Sequence, residues 1–384
     1  MIKRRTLIVS SLGAAGAGVA IANHYLNRHQ APEQPQERGI ARFAVTGDTP
    51  LRERAADKGL IYGAAAQHQV LTTNVEFAQR FAQECAMLVP ANELKWQALR
   101  PTPERFDFSR GDWMANFAQK HNMLLRGHTL VWHRALPKWF EETVDRTNAA
   151  KVLTEHINTV VQHYAGNIHS WDVVNEAIVP NKTKDGLRQT PWLRLLGVDY
   201  IEMAFRTAAA ADPQALLVYN DNNLEYDNAK TAVKRTQVLK LLERLKSRGV
   251  PVHALGIQSH IGASPQGFNA KKLRDFLKEV ASLDLKILIT EMDVLEKNLL
   301  EANNRDAIIA GVYQDYLSLV LDEPAVNTVI TWGLSDRYTW LTNFAPRQDG
   351  APIRPLPLDA QLERKLAWNA IASAFDQAPP RQVK

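Results

Sequence analysis

Short apolar, β-rich runs recur along the chain: GLIYGAAA, CAMLVPANELKW, MLLRGHTLVW, IHSWDVVNE, LLVYNDNN, HALGIQSH, KILITEMD and NTVITWGLSD. Amphipathic stretches separate most of them, as in TAVKRTQVLKLLERLKSRG and NAKKLRDFLKEVASL. Alternating strands and helices predict a parallel sheet covered by helices. Eight such strands in a chain of 384 residues predict a single (β/α)₈ barrel of the TIM type.

The polar positions supply a second regularity. Nearly every run turns polar at its C-terminal end: Asn92 and Lys95, His128, Asn175 and Glu176, Asn220 and Asp221, Gln258 and His260, Glu291 and Asp293, Asp336. A barrel builds its active site at that end, from several strands. A doubly wound sheet gathers its ligands near one switch point, usually beside a Gly-rich loop. Neither G-x-G-x-x-G nor G-x-x-x-x-G-K-[ST] occurs in the chain, so a nucleotide cofactor is not expected.

The two ends read differently from the middle. Lys3, Arg4 and Arg5 precede the weakly apolar TLIVSSLGAAGAGVAIA, and Ala20 and Ala22 supply an A-x-A cleavage pattern. Residues 1–22 therefore read as an export signal, of the twin-arginine or the Sec type, with an uncleaved anchor as the alternative. Residues 23–40 contain APEQPQER and read as a linker, 41–376 as the barrel domain, and 377–384 as a flexible tail. The destination is periplasmic or secreted.

Composition is that of a soluble globular protein, with 45% hydrophobic and 23% charged residues. The single cysteine, Cys85, excludes an intramolecular disulfide and reads as a core thiol. Removing the signal takes away three basic and no acidic residues, which lowers the net charge from +5 to +2. So small an excess does not suggest a nucleic-acid partner. A monomer without a lasting membrane partner is expected.

Glu176 follows WDVVN and Glu291 follows KILIT, so two carboxylates close different strands and can face each other across one cleft. Glycoside hydrolysis needs such a pair, one to protonate the leaving oxygen and one to attack or to activate water. Gln258 and His260 stand two apart, as do Glu291 and Asp293, so each pair shares a strand face. A His260 hydrogen bond to Glu291 would keep that carboxylate ionised, as a nucleophile requires. Glu176 has only Asn175 and apolar positions near it in sequence, a setting in which a carboxyl can hold its proton. Trp96, Trp132, Trp332 and Trp340 fall at or beyond strand ends and suit either packing or flat platforms for sugar rings. His128, His133 and His260 show no H-x-H or H-E-x-x-H spacing, so hydrogen bonding is expected of them rather than metal ligation.

The motifs ANELKW, GHTLVWH, WDVVNEA, GIQSHI, ITEMDV and TWGLSDRYTWL resemble, in order and over nearly the whole domain, the endo-β-1,4-xylanases of glycoside hydrolase family 10. The resemblance implies retaining hydrolysis of xylan and xylo-oligosaccharides without a cofactor. It implies Glu176 as acid/base, Glu291 as nucleophile, His260 as the nucleophile's partner, and Asp293 as support for that pair. Asn175 would bind the sugar 2-hydroxyl. Asn92, Lys95, His128, Trp132, Gln258, Trp332 and Trp340 match sugar-contacting positions, the last two closing over a ring that lacks a hydroxymethyl group. Two positions depart from the family pattern: Ala91 where a glutamate is usual, and Asn222 where a tyrosine is usual. Both put substrate detail in question and leave the glutamate pair intact. A β-glucan-active barrel, a non-catalytic xylan-binding protein and a metal-dependent hydrolase are the competing readings.

Asn175 and Glu176 are neighbours, yet regular alternation lets only one of them face the cleft. A bulge or an abrupt exit from the sheet is therefore expected at that pair. The export reading predicts a mature protein beginning near Asn23, checked by N-terminal sequencing of secreted material; an intact Met1 would refute it.

Overall fold

The computed structural model describes residues 43–180, 185–263, 268–296 and 304–381. The expected export signal and the whole of the expected linker lie outside them. Eight parallel strands close into a barrel: β1 (Ile61–Ala66), β2 (Met87–Pro90), β3 (Leu124–Val131), β4 (Ser170–Asn175), β5 (Leu216–Asp221), β6 (Ala254–Ile257), β7 (Lys286–Leu295) and β8 (Val326–Thr331). Neighbours in sequence are neighbours in the sheet, and β1–β8 pairing completes the circle. Each apolar run named above overlaps one barrel strand, and the two quoted amphipathic stretches form most of helices Ala229–Ser247 and Ala270–Ser282. These strands are buried almost throughout, because helices cover their outer face and side chains fill the barrel. Among the described residues, no helix is long and apolar enough to cross a membrane.

Two glycines set how closely the strands' side chains pack. At Gly127 on β3 an added Cβ would lie 2.0 Å from the Trp171 ring of β4, so the absence of a side chain gives that indole its place. At Gly256 on β6 a Cβ would lie 2.3 Å from Oδ1 of Asn220, which occupies the barrel interior. Cys85 is buried and free, as its apolar surroundings implied.

A buried carboxylate ties the first and last helices of the described domain together. Glu84, fully buried, accepts from the backbone N–H of Leu51 (3.0 Å), from Nε1 of Trp368 (3.0 Å) and from the Arg364 guanidinium. The C-terminal helix Leu366–Gln377 thereby packs against the first helix of the domain. Residues 378–381 differ from the flexible tail expected of them. Ala378 is buried, the Arg381 N–H donates to the Lys58 carbonyl (2.7 Å), and its guanidinium reaches the carbonyls of Val326 and Leu321. Composition suggested a tail, but backbone carbonyls at the foot of the barrel give this arginine partners.

Gly127→Ala should destabilise the fold by about 1–3 kcal/mol through overpacking against Trp171. Chemical denaturation should show a lower midpoint at an unchanged slope.

Candidate active site

Backbone irregularities at three strands turn polar residues into one cleft. On β4, Asp172 pairs with Val218 but Val174 with Tyr219, so one extra residue is inserted; β3 and β7 carry similar slips at His128–Val131 and Ile289–Met292. Such bulges re-aim side chains near active sites. The chain then leaves β4 at Glu176, in the left-handed region at φ +57°. The irregularity expected at Asn175–Glu176 is thus divided: the slip comes two residues early, and the exit falls on the glutamate itself. Gln258 and His260 share the cleft for a different reason than simple alternation. Ser259, at φ +62°, breaks the strand between them, and His260 begins a second short strand, His260–Gly262, beside β7.

The result is a cavity of about 320 Å³ over the C-terminal ends of the strands, lined by Glu176 and Glu291 among others. One hydrogen-bond chain joins the two carboxylates. Nε2 of Gln258 donates to Oε1 of Glu176 (3.2 Å) and to Oδ1 of Asn175 (3.1 Å). Nδ2 of Asn220 donates to the same Asn175 oxygen (3.0 Å) and to Oε1 of Glu291 (2.8 Å). Both bonds use Asn175's oxygen, and no described residue accepts from its NH₂ group.

Burial alone would push the Glu291 carboxyl up, but a His260 hydrogen bond, the His128 and His260 imidazoles and the Asn220 amide outweigh it and lower it to about 2. Nε2 of His260 donates to Oε2 of Glu291 (3.3 Å) and Nδ1 donates to Oδ1 of Asp293 (2.9 Å). Burial opposes the charge on this imidazole as well. Asp293 first, then Glu291, outweigh it and raise His260 well above its ordinary value. The second Asp293 oxygen accepts from Nε1 of Trp340 (2.8 Å), which fixes the indole over the cleft.

The remaining candidates divide. His128 donates from Nδ1 to Asp172 (2.9 Å), whose other oxygen holds the buried Arg126. Trp332 stands edge-on to His128 at 5.1 Å, and Lys95 lies over the Trp132 ring at 5.4 Å. Burial lowers the Lys95 ammonium, with Glu291, Glu93 and Glu176 opposing. Asn92 is exposed on the turn after β2 and touches this group only by accepting from Nζ of Lys95 (3.2 Å). Trp96 is no platform: it is buried, stacked on His156 at 3.5 Å and packed against Phe140 and Trp192. Ala91 lines a separate recess of about 40 Å³ shared with Trp332, Trp340 and Phe77. Asn222 lies in the cleft wall, accepting from Nζ of Lys234 (2.8 Å).

Residues 50–374 match the family model described as Glycosyl hydrolase family 10. The chain belongs to this family. It is 34% identical over 311 residues to endo-1,4-beta-xylanase B of Thermotoga neapolitana, covering 77% of this chain and 84% of that protein. It is 38% identical over 291 residues to a beta-1,4-xylanase of Dictyoglomus thermophilum, covering 73% and 79%. Among solved structures, xylanase 10B of Thermotoga petrophila in complex with xylobiose superposes with a TM-score of 0.79 at 33% identity, over 87% of this chain and 99% of that one. The glycosyl hydrolase assignment agrees with a barrel that brings Glu176, just past β4, and Glu291, on β7, into one cleft.

The family 10 site includes residues that sequence reasoning overlooked. Glu176 does not sit among apolar groups. A short hairpin, with the backbones of Val179 and Gly186 paired (2.7 Å), returns Arg188 onto it. Nε of Arg188 donates to the Glu176 carbonyl (2.7 Å), and Nη2 lies 3.4 Å from Oε2. His133 approaches the same oxygen at 4.0 Å. Twelve positions separate Arg188 from Glu176, too far for any local pattern to pair them. Asn220 and Asp172 were visible as polar residues in strands, but only the closed barrel shows what they hold.

The opposite shifts at Glu291 and His260 define a stability window. The depressed carboxyl stabilises above its unfolded value near 4.5 and loses that contribution as pH falls through about 2. The raised imidazole stabilises fully below about 6.5 and loses its contribution as pH rises through its folded value. The pair therefore contributes most between about pH 4.5 and 6.5. NMR of ring-¹⁵N histidine should show both His260 nitrogens protonated at pH 7, and Asp293→Asn should lower the pH at which one proton leaves.

Proposed function

We propose that the protein is an exported endo-β-1,4-xylanase that cleaves internal xylosidic bonds with retention of configuration. The observation that carries this reading is the asymmetry of the glutamate pair. Glu291 is buried and held as an anion by His260, whereas Glu176 stands at the cleft wall and joins the same network through Gln258. The named relatives and the xylobiose complex of a family member support the choice of sugar.

In the first step a Glu291 oxygen attacks the anomeric carbon, the glycosidic C–O bond breaks, and Glu176 gives its proton to the departing oxygen. In the second, Glu176 takes a proton from water, whose oxygen attacks the same carbon and releases Glu291. The apolar setting expected for Glu176 is absent. Its role as acid rests instead on the contrast with Glu291 and on its place in the WDVVNEA motif. Asn175 offers its NH₂ to the sugar 2-hydroxyl. Trp132, Trp332 and Trp340 present ring faces to the chain, and Lys95, His128 and Gln258 offer donors to hydroxyls. Asn92 acts through Lys95. The cell exports the enzyme by the signal at residues 1–22, and the enzyme works as a monomer.

Glu176→Ala should cost about 10²–10⁴-fold on xylan and much less on aryl xylosides with good leaving groups, which need little protonation. Glu291→Ala should lower kcat by about 10⁴-fold or more on both. Full activity of Glu291→Ala on xylan would sink the assignment. Reducing-sugar release on carboxymethyl cellulose exceeding that on xylan would replace the substrate.

A further inference from the structure

The charged groups of the cleft are nearly all matched. Glu291 and Asp293 share His260, Glu176 faces Arg188, and Lys95 rests on Trp132 and Asn92. Arg134 is the exception. It lines the cleft and is exposed, and no described carboxylate lies within ion-pair distance of its guanidinium.

The segment that carries it is anchored on both sides. The Trp132 carbonyl accepts from Nε1 of Trp192 (3.1 Å), and the Ala135 carbonyl accepts from the Gln97 N–H (2.9 Å). Ala135 adopts a left-handed turn at φ +55°. Arg134 thus stems from a held backbone on the wall that contains Glu176, whose Oε2 lies 4.0 Å from Nδ1 of the adjacent His133. Burial, Arg188 and Arg134 together lower His133 to about 4, so this imidazole adds no competing charge near neutrality. A guanidinium is a planar fork of donors that matches a carboxylate. Among the described charged residues that line the cleft it is the most exposed, and it is positive.

We propose that Arg134 makes this cleft prefer xylan chains bearing a uronic acid branch beside Glu176, with the branch carboxylate paired to the guanidinium. The proposal rests on the xylanase reading and deepens it. The branch is bound, not cleaved.

The test compares kcat/KM on three defined substrates: a linear xylo-oligosaccharide, the same chain with one uronic acid branch, and that branch as its methyl ester. The ester keeps the shape and removes the charge. At ~20 mM salt the wild type should favour acid over ester about three- to five-fold, the size of an exposed ion pair. The ratio should fall towards one at ~0.5 M salt, where screening is short-ranged. Arg134→Gln should bring the ratio close to one at low salt. A wild-type ratio of one, or a preference that survives Arg134→Gln, would overturn the proposal. Cleavage of the linear chain with no acid preference removes this proposal and leaves the xylanase reading standing, whereas failure to cleave any of the three removes that reading. Should Arg134→Gln not fold, the wild-type ratio and its salt dependence decide the question.

Discussion

Burial drives a carboxyl group towards its neutral form, and Glu291, only 5% exposed, stays an anion because groups from three other parts of the barrel converge on it. His260 follows β6, His128 lies on β3, and Asn220 is the penultimate residue of β5. Each is held in turn. Asp293 pins His260, Asp172 with Arg126 pins His128, and the missing side chain of Gly256 leaves room for Asn220. Thr290 completes the last contact by donating to Asn220 Oδ1 (2.7 Å). The network exists only when the barrel is closed, so the charge on Glu291 is a property of the whole fold.

The same closure explains the irregular backbone. A parallel barrel of regular strands points alternate side chains inward, and adjacent residues cannot both reach one site. The slips on β3, β4 and β7, and the left-handed residues Glu176 and Ser259, release that constraint where the chain meets the cleft. Left-handed backbone is unfavourable for residues with a Cβ and persists where the surroundings over-determine it. At Glu176 those surroundings are visible: its N–H donates to the Asn220 carbonyl (2.8 Å) and its carbonyl accepts from Arg188.

Much of the architecture was legible in local pattern. Each strand came from an apolar run with a polar end, and the cleft lies where those polar ends accumulate. Trp96 shows the limit: it occupies the same kind of position as Trp132, yet it turns into the core because Phe140, Trp192 and His156 surround it. Whether an aromatic beyond a strand end meets solvent depends on which helix packs behind it, and no spacing rule encodes that. The setting of Glu176 was misjudged for a related reason. Its cation arrives from a hairpin twelve residues on, and Arg134 and His133 arrive from the end of β3.

The sequence by itself determined the order of strands and helices, the two carboxylates that follow apolar runs and the motif set that marks the family, because these depend on residue type and short-range spacing. The tertiary structure alone decided which polar residues share hydrogen bonds, where strands slip by a residue, and which charges end up matched or exposed. Those features arise from contacts between residues tens of positions apart. Their energies depend on distances and on burial, which a linear pattern of residue types does not contain.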